Sequence, residues 1–386
     1  MPSVVSLDNV ENWESLLTFL PEGWEQKARE LGALKRMRKF ANAKQLLRVL
    51  LIHLADGCSL RETAVRAKYG GVAVISDVAL LKRLKASGEW LRWMAAQTMT
   101  NWVDKQPSLV FGNNLKIRVI DGTTVEEPGS TGSTWRIHYS ICLPSLQCDE
   151  VYVTSPKEGE SFKRFVVHHG DLFIADRGFS NRAGVHHVVS GGGNVLIRMN
   201  LSTLPVMDSD GKPFPLLDHL RTLSGTKIGD WPVCIVQGES RITGRICAIK
   251  KNKAAAERAV RKAVKDSRKK GHVTKSETIE AASYVFVFTT LDPAFSPTVV
   301  LEMYRGRWQI ELAFKRLKSI MGLGHLKKTD VEAARAWIHG KLFVAFLIEA
   351  LIAAAERFSP WGYPLCQAAQ KIPLPMEGRV FDVTSA

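Results

Sequence analysis

The chain has 386 residues, of which 45% are hydrophobic, and 53 Lys and Arg against 38 Asp and Glu give it a formal net charge of +15. Its length exceeds what one compact core usually holds and its apolar content excludes a mostly disordered chain, so two or three packed units are expected. The positive charge favours a polyanionic partner, above all a nucleic acid, because each neutralised phosphate releases condensed counterions.

Neither a membrane nor an oxidising compartment is indicated. The N-terminal residues MPSVVSLDNVENWESLL lack a basic segment followed by an apolar one, so no secretory signal is expected. The longest apolar stretch, residues 342–355, is interrupted by Glu349 and is too short to span a bilayer, which favours a buried helix. The six cysteines form no C-x-x-C pair, and the ten histidines complete no zinc pattern with them. A cytoplasmic, DNA-associated protein is therefore expected.

The first part of the chain is predicted to be helical. Apolar residues are dense before a break at Gly57. Ser59 and Glu62 fit a capping box, and a second helix start lies at Ser76. The order of elements is a helix, a glycine-bearing turn, a short helix and a basic helix. A helix-turn-helix DNA-binding unit has this order, and so has any small helical bundle.

The periodicity changes from helical to alternating near residue 114. An alternating strand ends at Asp121, and two further strands follow. The apolar run from Asp171 to Asp176 suits a strand buried on both faces, and a helix then leads to a strand at residues 194–199. Three antiparallel strands followed by strand, helix and strand is the order of a ribonuclease H-like core. The predicted fold class is α/β, a ribonuclease H-like mixed sheet with flanking helices.

A basic segment with strands on either side follows this core. From Lys250 to Lys275 there are eleven Lys or Arg and two acids, so the segment carries a net charge of 11 − 2 = +9. The segment is either a solvated helix or a DNA-facing arm. Because it lacks the acids that would form i,i+4 pairs, DNA contact is favoured. We predict a β-rich basic insertion over residues 205–295.

Acidic residues at strand ends are candidate ligands for divalent ions. Asp121 and Asp176 each end a predicted strand, and neighbouring strands of a ribonuclease H-like sheet would bring both carboxylates to one edge. Two Mg²⁺ ions held by such oxygens can activate the attacking oxygen and stabilise the leaving one in phosphoryl transfer. Either aspartate alone is better explained as a turn starter or a helix cap.

A third acid strengthens the metal-site interpretation. On a helix predicted over residues 299–319, Glu311 shares an arc of about 60° with Tyr304, Arg307 and Lys318. The arc could be an ordinary solvated face. A single acid among several bases also suits a metal-binding carboxylate flanked by phosphate-binding cations.

The spacing Tyr304-x2-Arg307-x3-Glu311-x6-Lys318 resembles the Y-R-E-K signature of a large group of bacterial insertion-sequence transposases of the DDE class. The resemblance covers roughly residues 115–350. It implies that the signature Tyr, Arg and Lys contact the DNA of the transposon ends, while the glutamate binds metal.

The two aspartates extend the same resemblance. Asp121 in VIDGTT and Asp176 in IADRGFSN resemble the first and second acids of the DDE triad, and the spacings of 55 and 135 residues fit a core whose second gap holds a β-rich insertion. The resemblance implies two Mg²⁺ ions, with Mn²⁺ as an alternative, and a homodimer that joins transposon ends to double-stranded target DNA. It also implies a reaction through a DNA hairpin.

Three further residues are DNA-binding candidates. Arg198 in VLIRMN resembles a DNA-contacting position, and Arg177 directly follows the second aspartate. Relatives place a tryptophan of the insertion against a flipped base, and Trp231 is the single tryptophan of this insertion. A tryptophan beside Pro232 is equally well explained as a core residue.

Two rival functions stay open: a ribonuclease H-like metal-dependent DNA endonuclease without strand transfer, and a non-catalytic DNA-binding protein. The predicted division of the chain is an N-terminal helical DNA-binding domain at 1–110, the first part of the catalytic core at 111–204, the basic insertion at 205–295, the second part of the core with the glutamate helix at 296–360, and a C-terminal tail at 361–386.

Overall fold

The computed structural model describes residues 8–35, 39–103, 115–129, 134–143, 145–199, 202–269, 271–324, 326 and 329–357. The predicted tail at 361–386 lies outside these residues. Helices fill the N-terminal part: α1 (Asp8–Leu17), α2 (Trp24–Glu30), α3 (Ala43–Leu54), α4 (Leu60–Tyr69), α5 (Asp77–Ala86) and α6 (Gly88–Val103).

Two of these helices begin at the predicted caps. The Ser59 hydroxyl accepts a hydrogen bond from the Glu62 backbone N–H at 3.1 Å, and Ser76 caps α5 in the same way. The reciprocal half of the capping box is wrong. The Glu62 carboxylate turns forward along its helix and accepts from Arg66 at 2.8 Å, because i,i+4 pairing places the two side chains side by side.

One eight-stranded sheet lies at the centre of the fold. Its strands are β1 (Lys116–Val125), β2 (Trp135–Leu143), β3 (Cys148–Thr154), β4 (Asp171–Ala175), β5 (Asn194–Arg198), β6 (Ile228–Gln237), β7 (Ser240–Lys250) and β8 (Tyr284–Thr289). They are ordered β3-β2-β1-β4-β5-β8-β7-β6. β4 is parallel to β1 and to β5, and every other pairing is antiparallel. The predicted mixed sheet of a ribonuclease H-like α/β fold is confirmed.

Helices flank both faces of this sheet. They are α7 (Arg182–Ser190), α8 (Leu216–Arg221), α9 (Lys253–Lys269), α10 (Ser276–Ala281), α11 (Pro297–Arg305), α12 (Trp308–Lys315) and α13 (Val331–Arg357), with 3₁₀ turns at Phe162–Arg164 and Arg177–Phe179. One apolar cluster joins α13 and the N-terminal helices to the sheet. A second cluster covers the opposite face around the rings of Phe162, Phe173 and Phe179.

The long apolar helix α13 is part of the core. Its segment Val331–Ala354 is long and apolar enough to cross a membrane, with a mean hydropathy of 1.7, but 78% of that apolar window is buried inside the protein. Burial raises the pKa of Glu349 on this helix to about 7, against the opposing charge of Arg316. The stretch is thus a buried helix, as its interruption by Glu349 predicted.

The strands of the predicted insertion belong to the same sheet as the core. β6 and β7 form a hairpin, β7 pairs with β8, and β8 pairs with β5. The basic helix α9, which follows this hairpin, stands apart from the sheet, since Ala255 is the single buried residue among its described side chains. Most basic side chains of α9 therefore face solvent, and Arg261 lies 3.9 Å from Glu257 in an i,i+4 pair that the sequence analysis did not expect.

A buried arginine fixes the register of the central strands. Arg118 on β1 is 1% exposed and contacts Asp149 at 2.8 Å, Glu150 at 2.6 Å and Asp171 at 3.1 Å. Its guanidinium also lies over the ring of Phe173. These contacts join β1, β3 and β4 a few residues before the candidate catalytic positions, so the network aligns the strands that carry them.

Candidate active site

Asp121 lies on β1, and Asp176 directly follows β4, the parallel neighbour of β1, as the cap of the 3₁₀ turn Arg177–Phe179. The last pair of the β1–β4 ladder is Val119 with Ile174, and each aspartate follows two residues after its member of that pair. Each carboxylate is fixed by a local backbone donor: Asp121 accepts from the Gly122 N–H and Asp176 from the Gly178 N–H, both at 2.7 Å. The prediction that these two strands are neighbours in the sheet is confirmed.

β1 does not end at Asp121, and that part of the strand prediction is wrong. The strand continues to Val125, because β2 remains paired with it over this length, with Asp121 opposite Tyr139. What ends near Asp121 is the pairing with β4, whose last ladder pair is Val119 with Ile174. The carboxylate therefore lies where the sheet opens between two strands.

The aspartate pair carries unbalanced negative charge. Burial, and next the charge of Asp176, raise the pKa of Asp121 to about 7, against the opposing Gly122 N–H and the Arg307 guanidinium. Two neighbouring carboxylates repel each other unless a cation lies between or beside them. The pair is thus chemically suited to a divalent cation with oxygen ligands.

The signature helix is broken, contrary to the single helix predicted over residues 299–319. α11 ends at Arg305 and α12 begins at Trp308, and in between the N–H of Arg307 bonds to the Tyr304 carbonyl, three residues back. Such i→i+3 bonds tighten a turn and rotate the following residues relative to an α-helix. A π-helical turn, Arg316–Ile320, follows α12 and rotates the chain in the opposite sense.

The break places Arg307 between two of the predicted catalytic acids. Its guanidinium lies 3.7 Å from Asp121 Oδ2 and donates to Glu311 Oε1 at 2.5 Å. Asp121 and Arg307 are each 15% exposed, whereas Glu311 is 58% exposed. The structure therefore brings together Asp121, Asp176, Arg307 and Glu311, with the glutamate turned toward the arginine.

Arg198 at the end of β5 and Tyr304 on α11 also belong to the site. They line one pocket with Arg305, Arg307 and Trp308. Tyr304 is 6% exposed, and its hydroxyl has no hydrogen-bond partner among the described residues. Burial raises the pKa of that hydroxyl, and the charged groups around it are those of Arg307, Arg198 and Asp176. A buried, unpaired hydroxyl at this point is a donor for a ligand oxygen.

Positive charge gathers beside this pocket. Burial, and then the charge of Arg198, lower the pKa of Arg177 to about 10. Burial, Arg198 and Arg177 lower the pKa of Lys251 to about 8, while its ammonium donates to the Ala282 carbonyl at 2.8 Å. These three residues form the cation cluster. Like charges held together in this way favour an anion such as a phosphate.

Two of the predicted site residues lie apart from this group. Lys318 lies in the π-helical turn, where Glu126 is the charged group that acts on it. Trp231 lies on the edge strand β6, where its ring packs against Phe214 and His219. Three strands separate β6 from β4, so the Trp231 ring does not reach the aspartate pair.

Sequence reasoning missed two residues of the site. Lys251 belongs to a basic run, and its place directly after β7 was the signal that could have separated it from its neighbours. Glu160 had no motif. It lies in the loop after β3, and its carboxylate faces Gly122 and Gly178, the glycines beside the two aspartates.

The donor set fits a divalent ion, although the side chains are not closed around one. Among the described residues, no three His, Cys, Asp or Glu side chains converge closely enough to hold a metal. Glu311, the third predicted acid, is paired with Arg307. The aspartate pair supplies the hard oxygen donors that Mg²⁺ and Mn²⁺ bind, and rotation of the exposed glutamate would add a third.

The sequence matches a known family of DNA-processing enzymes. Residues 155–347, half of the 386-residue chain, match the family described as the transposase DDE domain. This range includes β4 with Asp176, the insertion, and the segment with Glu311.

The similarity extends over most of the chain in individual relatives. The chain is 34% identical over 361 residues to the putative transposase InsL of insertion sequence element IS186A from Escherichia coli (strain K12), covering 91% of this chain and 96% of the relative. It is 34% identical over 362 residues to the transposase of element IS421 from Escherichia coli, with the same coverage. The transposase of element IS231F from Bacillus thuringiensis subsp. israelensis is 23% identical over 380 residues. The chain belongs to the DDE transposases of bacterial insertion sequences.

Proposed function

We propose that the protein cuts and rejoins DNA at the ends of its own insertion sequence, with Asp121, Asp176 and Glu311 as the catalytic acids. The observation that carries the proposal is the place of Asp121 and Asp176, each two residues after the last β1–β4 pair, with Arg307 lying between Asp121 and Glu311. Two Mg²⁺ ions, or Mn²⁺ in their place, would activate the attacking oxygen and stabilise the leaving oxygen when bound to these acids.

The proposed reaction is a series of displacements, each of which forms one P–O bond and breaks one. Water first attacks the phosphate at the element's end and frees a 3′-hydroxyl. That hydroxyl attacks the opposite strand, which closes a hairpin on the element and releases the flanking DNA. A second water opens the hairpin, and the 3′-hydroxyl finally attacks a phosphate of the target DNA. Proton transfers go to and from solvent, so no further co-reactant is required.

The DNA contacts follow from the distribution of donors around the aspartate pair. Tyr304 offers a buried hydroxyl without a partner, and Arg198 and Arg177 add positive charge beside it. We assign these side chains and Arg307 to phosphates near the cleaved bond. Lys318 would contact the end DNA farther from the aspartates. For Trp231, the packing against Phe214 and His219 supports the core interpretation over a flipped base.

The oligomeric state and the roles of the domains are proposed from the requirements of the same reaction. Two element ends must be held at once, so the active DNA complex is proposed to be a homodimer. The helices of residues 1–110 are proposed to bind DNA, and the divisions at 111–204, 205–295 and 296–360 to be the two parts of the catalytic core around the insertion. A cytoplasmic, DNA-associated location agrees with a net charge of +15.

Helix α9 is proposed as a contact with the DNA backbone, and this assignment predicts a change in salt dependence. Arg261, Lys265 and Arg268 are exposed and follow one stripe of the helix. Changing all three to Gln should lower the slope of log affinity against log salt by about 2–3, because each lost phosphate contact removes about 0.9. Fluorescence anisotropy with a duplex from the element's end measures it.

The control for this prediction preserves charge. The triple variant Arg261→Lys, Lys265→Arg and Arg268→Lys keeps every positive charge on the same stripe, so its salt slope should equal that of the wild type. An unchanged slope in the Gln variant would show that α9 does not face the DNA.

The test of the proposed function is a complete transposition assay. Purified protein is incubated with Mg²⁺, a supercoiled plasmid that carries its own element, and a target plasmid. The wild type should release the element and join it to the target. Asp176→Asn should do neither, because it removes one ligand of the aspartate pair, while Asp210→Asn, a change at an exposed loop position, should behave as the wild type.

The other outcomes identify the rival functions. Mg²⁺-dependent cutting without joined products would identify an endonuclease. Binding of the element's end with no cutting by the wild type would identify a non-catalytic DNA-binding protein. Equal activity of Asp176→Asn and the wild type would remove this aspartate from the catalytic site.

A further inference from the structure

The cation cluster lies on the same edge of the sheet as the second aspartate. Asp176 and Arg198 each follow one residue after their member of the last β4–β5 pair, so they stand at one level of these parallel strands. β7 runs toward the same edge, because β5 and β7 are both antiparallel to β8. Lys251 directly follows β7, and Arg177 directly follows Asp176. The cluster therefore extends along this edge from the aspartate toward β7.

The cation cluster has no carboxylate partner. Within the part of the chain that the structure describes, none of its three side chains forms an ion pair. Three other arginines of low exposure each have a carboxylate oxygen at 2.8 Å or less: Arg118, Arg245 and Arg307. The charge of Asp176 does reach Arg177, but the repulsive charge of Arg198 acts on it more strongly. Such unpaired cations favour an anion from outside the protein.

Lys251 is held in place by the backbone of the segment before β8. Its backbone N–H donates to the Ser283 carbonyl at 2.9 Å, and its ammonium donates to the Ala282 carbonyl at 2.8 Å. An ammonium group has three donors, and among the described residues no second acceptor contacts this one. Burial, and then the charges of Arg198 and Arg177, lower the pKa of Lys251 to about 8. A phosphate oxygen bound here would relieve the repulsion among the three cations.

The cation cluster leads directly into helix α9. The helix begins at Lys253, two residues after Lys251, and the Asn252 side chain caps it by accepting from the Ala255 N–H at 2.9 Å. Ala255 is also the buried residue of the first turn, so this end of α9 is the end attached to the protein. The partial positive charge of the helix N-terminus adds to that of the cluster. A positive surface therefore continues from the sheet edge along α9.

The sheet geometry sets the length of this surface. β5 and β8 lie between β4 and β7, so three spacings of ~4.8 Å, about 14 Å in all, separate Asp176 from Lys251 across the strands. Lys251 also stands four residues beyond Cys247, which is level with Arg198 through Val287, or about 13 Å along the strand. The separation is about 14 Å if the lysine side chain reaches back along the strand and about 19 Å if it does not. At ~3.4 Å per nucleotide of one DNA strand, it corresponds to about four to six nucleotides.

We propose that Lys251 binds a backbone phosphate of the element's end, about four to six nucleotides from the phosphate that is cut, and that the bound duplex crosses the sheet edge from Asp176 to α9. This proposal rests on the proposed function, because the aspartate pair defines the position of the cut. The element's end is the DNA that stays bound through every step, whereas the flanking DNA leaves and the target arrives last. Lys251 is thus a positioning residue, and it does not touch the reacting atoms.

The first test measures binding in EDTA, so that no strand is cut. Fluorescence anisotropy follows full-length protein with a duplex of the element's end, trimmed at the cut position, at a series of salt concentrations. Lys251→Gln should lower the slope of log affinity against log salt by about 0.9, the value of one phosphate contact. Lys251→Arg keeps the charge and should keep the wild-type slope. Lys250→Gln, which changes an exposed neighbour whose ammonium lies over the Tyr284 ring, should keep it too.

A scan with neutral phosphates locates the contact. A methylphosphonate, which replaces a charged phosphate oxygen with a methyl group, is placed at each position of the duplex in turn. At the phosphate that Lys251 binds, Lys251→Gln should cause no further loss of affinity, whereas at every other position it should cause its full loss. That phosphate should lie about four to six nucleotides from the trimmed end. Circular dichroism and thermal unfolding of each variant confirm that the fold is retained.

The outcomes separate this proposal from the proposed function. If Lys251→Gln keeps the wild-type slope while the wild type transposes its element, the phosphate contact is wrong and the proposed function stands. If Lys250→Gln lowers the slope by the same amount, the loss reports general charge and the contact is again wrong. If Lys251 couples to the phosphate next to the cut, the duplex does not cross the sheet edge. If the wild type neither prefers the element's end nor cuts it in Mg²⁺, both proposals are overturned.

Discussion

Replacing Glu311 with glutamine is expected to slow cleavage of the element's ends by at least about 10³-fold. A lost ligand of a catalytic metal removes several kcal/mol of transition-state stabilisation, and each 1.36 kcal/mol is a factor of about ten in rate. The expectation is not obvious from the structure, because the Glu311 side chain is 58% exposed and forms an i,i+4 ion pair with Arg307. Such an exposed pair contributes only about 0.3–0.5 kcal/mol to stability. A merely structural Glu311 would therefore leave the rate nearly unchanged.

The measurement is single-turnover cleavage of a labelled duplex that carries the element's end, in Mg²⁺. Glu302→Gln is the matched control, because Glu302 is also exposed, at 44%, and also pairs with an arginine a few residues away in the chain, Arg305. The control should cleave at the wild-type rate. A Glu311→Gln rate within about tenfold of the wild type would remove Glu311 from the catalytic acids.

Replacing Arg118 with methionine is expected to lower the free energy of unfolding by about 3–5 kcal/mol, the range for removal of one partner from a buried ion pair. Arg118 is 1% exposed, and its loss would leave the buried Asp171 without its arginine and the buried Asp149 with Lys116 alone, at 3.3 Å. Methionine fills a similar volume, so the loss of charge and not a cavity dominates the effect. Urea denaturation followed by fluorescence measures it.

The pH dependence gives this prediction a sign. Burial alone would raise the pKa of Asp149, but Arg118 and its other partners outweigh burial and hold the pKa below the ordinary 3.8. A carboxyl whose pKa is lower in the folded state stabilises the fold above 3.8, and this stabilisation is lost as the pH falls through the folded-state pKa. The gap between the wild type and Arg118→Met should therefore be largest at neutral pH and shrink in acid.

An exposed arginine provides the control for this loss of stability. Arg92→Met removes a cation that is 61% exposed and pairs with Glu89, so its expected effect is below about 1 kcal/mol. A similar loss in both variants, or a gap that widens in acid, would contradict the role given to Arg118.

The order of the strands could be predicted because each periodicity is local. The fully buried run before Asp176 and the alternation before Asp121 are properties of short segments, and both strands form as expected. The continuation of β1 beyond Asp121 could also be predicted, since Thr123, Thr124 and Val125 are β-branched residues that favour strands. The turn propensity of Asp-Gly concealed it, because pairing with β2 overrides that propensity.

The parts of the site that could not be predicted depend on contacts between distant segments. The break at Gly306 arises from backbone bonds that span three residues, and no residue pattern in that segment requires them. Glu160 reaches the aspartates only because the loop after β3 folds back over two glycines. Lys251 joins Arg177 and Arg198 through the packing of separate strands. Such proximity is a property of the assembled sheet.

The continuity of the sheet limits which segments of this protein can be deleted without damage to the fold. The strands pair without a gap from β3 to β6, so the hairpin β6–β7 covers the edge of β8. Excision of that hairpin would not remove an accessory module; it would expose a row of unpaired backbone donors and acceptors beside the strand that carries Arg198, a surface that promotes aggregation. A shortened or chimeric version of this protein would therefore need a replacement strand at that border to avoid aggregation through the exposed edge.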